Sequence, residues 1–259
     1  MFRKRGSIYG LILGILSIFG AYFLEGGSFD ALFLLPSIII VFGGTFAAAI
    51  MGFGLEKFLK VFTLIKQAYS PEKYDIKKLI DAFVQLAAKG RREGLLAVEN
   101  DLHKLKYPFP KKMIRFVLDG TDMESLENIA IAEMKAMQDR HFSNIFLFSK
   151  MGGYAPTMGI IGTVMGLIMT LAAAGNNPEI LIHNIASAFI ATLWGIFSAN
   201  LIWLPIADRL KQCHLEEKHM MEISLEGVLA IQSGEIPSLI KSRMTSLLPQ
   251  KEQGKLKVV

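Results

Sequence analysis

The side chains of this sequence that could do chemistry stand inside long apolar runs. Eight hydroxyl and amide residues recur in two of these runs: Thr157, Thr163, Thr170, Asn184, Ser187, Thr192, Ser198 and Asn200. In an apolar helix such groups bond the carbonyl one turn back or join neighbouring helices. For a single residue that structural role is the favoured interpretation. Eight of them in two runs favour instead a polar or hydrated seam that faces protein.

The same runs lack an ionisable relay for protons. No Asp, Glu, Lys or Arg occurs in residues 6–24, 31–55, 151–178 and 180–207. Carboxylates inside membrane spans are functional by default, and none is present here. His183, near the outer end of the fourth run, is not expected to replace one. If the protein conducts ions, the titrating carboxylate must therefore come from a partner.

Other kinds of chemistry lack their motifs. We find no phosphate loop, no HExxH, no GxSxG and no Cys/His cluster, and the only cysteine is Cys213. Gly159, Gly162 and Gly166 lie in an apolar run rather than after a strand, which predicts close helix packing instead of nucleotide binding. Gly6, Gly10 and Gly14 repeat this spacing. We expect neither an enzyme nor a protein that binds a cofactor, a metal or nucleic acid.

Composition then identifies the elements that must position these side chains. Of the 259 residues, 52% are hydrophobic and 20% charged, and each uncharged run is long enough to cross a membrane. We predict an all-α membrane protein with four transmembrane helices, at residues 6–24, 31–55, 151–174 and 181–206. The first helix is expected to remain uncleaved, because residues 21–25 do not form a small-x-small cleavage site.

The basic residues predict the orientation. Three Lys/Arg precede the first run, 17 lie in residues 56–150, and eight follow residue 207. Because positive residues stay cytoplasmic, we place residues 1–5, a large helical domain at 56–150 and a tail at 207–259 on the inner side.

Helical signals dominate the cytoplasmic part. We predict a helix from Lys77 that ends at Gly90, a second helix over 91–104, and a break at the two prolines of 107–110. A Thr121–Glu124 capping box is expected to begin a helix that continues unbroken toward the third span.

The helix that begins at this capping box is predicted to bury one face, formed by four residues: Leu126, Ala130, Met134 and Met137. Residues 208–232 are predicted to continue the fourth span as a helix. Pro237 suits the first turn of another helix, and the polar end from Pro249 on is expected to be disordered.

Specific stretches resemble one family. The run Gly152–Ile168 is similar to the signature of flagellar stator A subunits, the MotA branch of the MotA/TolQ/ExbB proton-channel family. Supporting stretches are Ala188–Gly195 with Ser198–Asn200, Pro36-Ser37 with Gly43-Gly44-Thr45, and Asp119–Asp122. Two spans before the large cytoplasmic segment favour the stator branch, since TolQ-like and ExbB-like members have three spans.

This resemblance implies an inner-membrane homopentamer around a dimer of single-span, MotB-like B subunits, which supply the membrane aspartate. Ion flow would turn the pentamer, and its cytoplasmic domains would drive the rotor switch protein. By position, Pro156 and Pro205 resemble the family's coupling prolines, and Thr163 and Thr192 its pore threonines. Both prolines also fall at the cytoplasmic ends of their spans, where a kink or a hinge is expected.

Arg91 and Glu99, with Arg92 as a helper, match the family's charged rotor-binding residues. Their spacing of eight residues would let Arg91 and Glu99 share one helix face. The alternative interpretation is an ordinary solvated surface.

The resemblance also favours H⁺ over Na⁺ as the transported ion. Sodium-type members tend to have two threonines in a row where this chain has Ala191 and Thr192, and many members have an Asp at the position of Leu34. The missing hydroxyl removes a candidate oxygen ligand, unless Ala191 merely packs against a helix. Three alternatives stay open: a TolQ/ExbB-like energiser, a sodium-driven stator, and a passive membrane scaffold.

Overall fold

The computed structural model describes residues 2–173, 178–250 and 253–254. In that part of the chain it contains helices and no strand, so the all-α prediction is confirmed. The α-helices are α1 Phe2–Leu24, α2 Phe29–Leu32, α3 Leu35–Ile38, α4 Gly44–Phe53, α5 Leu55–Leu59, α6 Val61–Tyr69, α7 Ile76–Glu93, α8 Pro108–Leu118, α9 Met123–Ala172, α10 Pro178–Ser198, α11 Leu204–Gln232 and α12 Pro237–Ser246. A 3-10 helix, Leu95–Lys104, and two π-helical segments, Ile39–Gly43 and Ala199–Trp203, complete them.

Apolar helices coincide with all four predicted spans. Among the described residues, three stretches are long and apolar enough to cross a membrane, namely Phe29–Phe53, Met123–Ala172 and Pro178–Gln232, and Ile8–Leu24 is a shorter apolar helix. The number of crossings and the orientation stay predictions. Residue 174, the last of the predicted third span, lies outside the described residues.

The chain divides into two compact units. The first consists of the chain up to Pro71 together with His141–Gln212, and the second of Glu72–Arg140 together with the chain from Cys213 on. In the first unit the apolar core is built from α4, α6, α9, the second π segment and the start of α11, with Phe148, Met151 and Trp203 among its members.

The second unit has its own core, centred on α7. Phe83, Ile80 and Leu86 of α7 are almost completely buried, together with Met113 of α8 and Met244 of α12. The predicted buried face of α9 is confirmed. Leu126, Ala130 and Met137 are buried, and Met134 is partly buried.

Two boundaries near α7 differ from the sequence prediction. Gly90 lies inside α7, close to the Val98 side chain, and the helix ends only where Gly94 takes φ +87°. The predicted α-helix over 91–104 is wrong, since residues 91–93 belong to α7 and Leu95–Lys104 forms a 3-10 helix. A glycine ends a helix where the chain needs a positive φ, which only packing decides.

Two other helix starts also differ. Pro108 and Pro110 both lie in the first turn of α8, where a missing N–H costs nothing. The residue that caps α9 is Asp122 rather than Thr121, because its carboxylate accepts the Ser125 N–H at 2.9 Å. Hydrogen bonding from the side chain and the backbone N–H of Ser125 holds the pKa of the Asp122 carboxyl below its usual value. The continuous helix from there through the third span is confirmed.

The C-terminal region follows the sequence prediction closely. Helix continues from the fourth span to Gln232, and Pro237 begins α12. The Arg243 guanidinium ties α12 to α11 by donating to Glu226 at 2.5 Å and to the Glu235 carboxylate that follows α11. The disordered end predicted beyond Pro249 lies largely outside the described residues.

Candidate functional site

The site is built on a backbone contact between α9 and α10. A Cβ atom on Gly159 would lie 2.9 Å from the carbonyl oxygen of Ala191, and one on Gly195 would lie 2.7 Å from that of Ala155. Gly166 meets α10 in the same way, 3.1 Å from the Asn184 carbonyl oxygen. At Gly159 and Gly195 the two backbones therefore touch directly, and at Gly166 only the methyl group of Ala188 lies as near. This confirms the predicted close packing of α9.

The glycine repeat of α1 does not behave in this way. A Cβ atom on Gly14 would meet the side chain of Leu201, but nothing lies within 4 Å of the corresponding positions on Gly6 and Gly10. The spacing alone does not fix a contact, because a helix face packs only where another helix passes over it.

This close approach brings two hydroxyls together. Thr163 of α9 and Thr192 of α10, predicted to line the pore, contact each other through their Oγ1 atoms. The Thr163 hydroxyl also lies 3.1 Å from the carbonyl oxygen of Gly159 and 3.1 Å from that of Ala188.

The chemistry of this pair follows from counting protons. A hydroxyl has one proton to donate and two lone pairs to accept with. Thr163 therefore has three acceptors in reach and can donate to only one at a time. A rotation about its C–O bond redirects the proton from a carbonyl toward Thr192. The pair is thus able to reorient one hydrogen bond without breaking the contact between the helices.

Ala191 lies in the helix contact. Its side chain is 1% exposed, and a Cβ atom on Gly162 would lie 2.6 Å from its own Cβ. Ile40 of the first π segment reaches the same point of Gly162. A methyl group therefore fills the space where spans two, three and four meet, as the packing alternative for Ala191 expects.

Two further contacts of α10 were not predicted as pairs. The Ser37 hydroxyl donates to the carbonyl oxygen of Ser187 at 2.9 Å, and the two hydroxyl oxygens lie 3.1 Å apart. The indole N–H of Trp194 donates to the Leu32 carbonyl oxygen at 2.8 Å. Leu32 ends α2, so this bond caps a carbonyl at a break in the helical run. Ser37 and Ser187 each stood in a noted motif, but single-sequence reasoning offers no signal that pairs them.

The two predicted hinge prolines occupy different settings. Pro156 lies inside the unbroken α9, and its Cα atom would be 3.3 Å from a Cβ atom on Gly195. Pro205 is the second residue of α11, directly after the π segment Ala199–Trp203. Each proline lacks the N–H that would bond the carbonyl four residues earlier. Each proline therefore removes one backbone hydrogen bond from its helix. The role of the two prolines as hinges stays a prediction.

The predicted rotor-binding charges lie in the second unit on exposed side chains. Arg91 and Arg92 occupy the last turn of α7, and the Arg92 Nε donates to the Ala88 carbonyl oxygen at 3.3 Å. Glu99 lies in the 3-10 helix. The argument that Arg91 and Glu99 share one helix face is wrong, because Gly94 separates two different helices. Their roles in binding a rotor stay predictions.

No group of His, Cys, Asp and Glu suited to a metal ion occurs among the described residues. His183 is exposed in α10, and Cys213 is partly buried in α11. The four apolar runs contain no Asp, Glu, Lys or Arg, so hydroxyls, carbonyls and amides provide most of their polar groups. These features define a class of protein: an all-α membrane protein whose two apolar helices are joined backbone to backbone beside a partly buried hydroxyl pair.

Comparison with known proteins gives the family. Residues 8–94 match the Motility protein A N-terminal model, and residues 101–223 match the model of the MotA/TolQ/ExbB proton channel family. The chain is 36% identical to Motility protein A of Bacillus subtilis, covering 97% of this chain and 93% of that one. It is 30% identical to chemotaxis protein PomA of Vibrio alginolyticus, covering 93% and 94%.

A solved structure agrees with these relatives. The chain resembles a chain of the flagellar MotAB stator complex from Bacillus subtilis with a TM-score of 0.89 and 35% identity, covering 96% of this chain and 98% of that one. The chain therefore belongs to the MotA/TolQ/ExbB proton channel family, in its Motility protein A branch. The resemblance found in the sequence is confirmed.

The backbone contact predicts a difference between two glycines of α9. In Gly159→Ala the new methyl meets the carbonyl oxygen of Ala191, and overpacking of this kind costs about 1–3 kcal/mol. Gly153→Ala is the matched control, since nothing lies within 4 Å of its Cβ position. We expect the first variant to lower the melting temperature and the yield of the purified protein, and the second to leave both unchanged. Equal behaviour of the two variants would contradict the contact.

Proposed function

We propose that this protein is the A subunit of a bacterial flagellar stator, which converts ion flow across the membrane into rotation. The observation that carries the proposal is the likeness to a chain of a solved flagellar stator complex, which extends over nearly the full length of both chains. Nothing in the sequence suggests an enzyme, and the polar seam suits ion transfer instead.

The stator needs a partner that supplies the titrating group. None of the four apolar runs contains a carboxylate, and hydroxyls alone do not take up and release protons near neutral pH. We propose that a dimer of a MotB-like subunit provides the membrane aspartate and that five copies of this chain surround it. This assembly lies in the bacterial inner membrane, with four crossings and with both termini and residues 56–150 in the cytoplasm.

The hydroxyl pair is the part of the proposed ion path that this chain supplies. Thr163 and Thr192 lie where α9 and α10 touch, and the Thr163 proton can be directed to three acceptors. A partner carboxylate that loads and releases a proton beside this pair would change which hydrogen bond is favoured. The prolines of the same two helical runs, Pro156 and Pro205, then allow α9 and α11 to bend in response.

The transported ion is proposed to be H⁺. The family is described as one of proton channels, and a proton needs only a chain of hydroxyls and waters. A sodium ion needs several oxygen ligands at once, whereas the side chain of Ala191 has no oxygen and is packed against Gly162. A sodium-driven stator is the alternative.

The rotor is proposed to bind the exposed charges of the second unit. Arg91 and Arg92 end α7, Glu99 follows on the 3-10 helix, and all three are exposed. Charges at such an interface set the orientation and rate of docking more than its affinity. The partner is a rotor switch protein with charges of complementary sign.

Deleting the gene tests the function. We expect cells that still assemble flagella, seen by electron microscopy, but do not spread on soft agar until the gene is restored. Cells that swim normally would point to a TolQ/ExbB-like energiser. Ion leak through the complex, measured after removal of the partner's plug segment, is expected for a channel and would be absent for a passive scaffold.

Reversing charges tests the rotor surface. We expect Arg91→Glu combined with Glu99→Lys to reduce swimming strongly while the amount of complex in the membrane stays unchanged. Lys77→Glu combined with Asp81→Lys is the matched control, because both residues are exposed at the other end of α7. Normal swimming of the first double variant would contradict the assignment of Arg91 and Glu99.

Removing sodium tests the ion. Swimming speed is expected to be independent of external sodium at a fixed proton-motive force and to collapse when a protonophore is added. Rotation that stops without sodium and survives the protonophore would show the ion to be Na⁺. That result would leave the stator function intact.

A further inference from the structure

Two successive carbonyl groups of α10 lie within hydrogen-bond distance of hydroxyls from two different neighbouring helices. The Ser187 carbonyl oxygen accepts from Ser37 of α3 at 2.9 Å. The next one, that of Ala188, lies 3.1 Å from the Thr163 hydroxyl of α9. α10 is thus bonded at one level of its axis to span two and to span three. A shift of α10 along its own axis would therefore change both contacts.

The Ser37–Ser187 contact is a closed pair. Ser37 has a single proton, and the bond to the Ser187 carbonyl uses it. The Ser187 hydroxyl, 3.1 Å away, can then donate to the Ser37 oxygen. Because the Ser37 side chain is only 1% exposed, water cannot readily replace these bonds. Separating the helices would leave buried polar groups unpaired.

The Ser37–Ser187 contact also restrains Thr192, because both Ser187 and Thr192 belong to α10. Thr192 follows Ser187 by five residues, about 7.5 Å along the axis at 1.5 Å per residue. A hydrogen-bonded helix is stiff over that length, so the height and rotation fixed at Ser187 also fix Thr192.

Trp194 supports the same geometry. It follows Ser187 by seven residues and therefore lies on the same face of α10. Its indole N–H bonds the carbonyl oxygen of Leu32. Leu32 and Ser37 both precede the first π segment, so one short stretch of span two restrains α10 at two levels.

We propose that Ser37 is a positioning residue for ion transfer: it holds α10 at the height where the Thr192 hydroxyl meets that of Thr163. The proposal rests on the proposed ion path through these threonines. Ser37 itself is not placed in that path, and its effect passes through Ser187 and the backbone of α10.

Cross-linking measures the positioning independently of ion flow. Cysteines are placed at both threonines, Thr163→Cys and Thr192→Cys, with the only native cysteine removed by Cys213→Ser. The rate of disulfide formation under a mild oxidant is measured in membranes and divided by the amount of assembled complex. We expect rapid cross-linking in this parent protein and a rate about two- to tenfold lower after Ser37→Ala, the range expected for one lost hydrogen bond.

Two further variants make the test specific. Thr45→Val removes another buried hydroxyl of span two, but one that donates within its own helix, to the Val41 carbonyl oxygen at 2.6 Å. It is expected to leave the rate unchanged. Ser187→Ala keeps the carbonyl that accepts from Ser37 and should cause a smaller decrease than Ser37→Ala. An equal rate in the parent and Ser37→Ala proteins, or no cross-link in the parent, would overturn the proposal.

Ion flux separates this inference from the proposed function. In the complex without the partner's plug and with the native threonines, Ser37→Ala is expected to lower flux about two- to tenfold, and Thr45→Val to leave it unchanged. Slower cross-linking with unchanged flux would overturn the ion path while the positioning stands. Lower flux with unchanged cross-linking would overturn the positioning role of Ser37 while the ion path stands.

Discussion

The contact between the backbones of α9 and α10 is the constraint on which the first unit depends. In lipid there is no hydrophobic gain from bringing two apolar helices together, so close packing and hydrogen bonds must supply the association. Gly159, Gly166 and Gly195 supply the packing because they place no atoms between the helices. The contact also determines where the polar groups can be. Thr163 reaches a carbonyl of another helix only because that helix is so near.

The hydroxyls of the spans divide into two kinds once this contact exists. Thr45 and Thr170 donate to the carbonyl four residues earlier in their own helices, which satisfies the group and links nothing. Ser37 donates across helices to α10, and the Thr163 hydroxyl, besides a carbonyl of its own helix, also has acceptors on α10 within reach. The difference does not arise from residue type, since a threonine belongs to each kind. It arises from whether a neighbouring backbone lies within reach, so the polar seam inferred from composition is in fact a few specific contacts around α10.

Sequence reasoning succeeded where a feature depends on local pattern. The unbroken α9, the helix at Pro237 and the glycines of α9 follow from periodicity, proline geometry and side-chain size. It failed where a feature depends on packing between different segments of the chain. Gly90 and Gly94 are both possible helix ends, and the choice of Gly94 depends on packing against the 3-10 helix. The Ser37–Ser187 pair joins residues 150 positions apart, a separation over which a single sequence gives no information.

The second unit shows how exposed charges can act from a fixed position. Arg91 belongs to α7, whose opposite face is buried. A Cβ atom on Gly227 of α11 would lie 2.8 Å from Phe83 of α7 and 2.8 Å from Met244 of α12. The three helices are therefore closely packed at this point. Arg243 adds ion pairs between α12 and α11. A charge on a tethered loop loses conformational entropy when it docks, whereas one at the end of a packed helix is already oriented. The core around Phe83 therefore fixes the position of the helix end that carries Arg91.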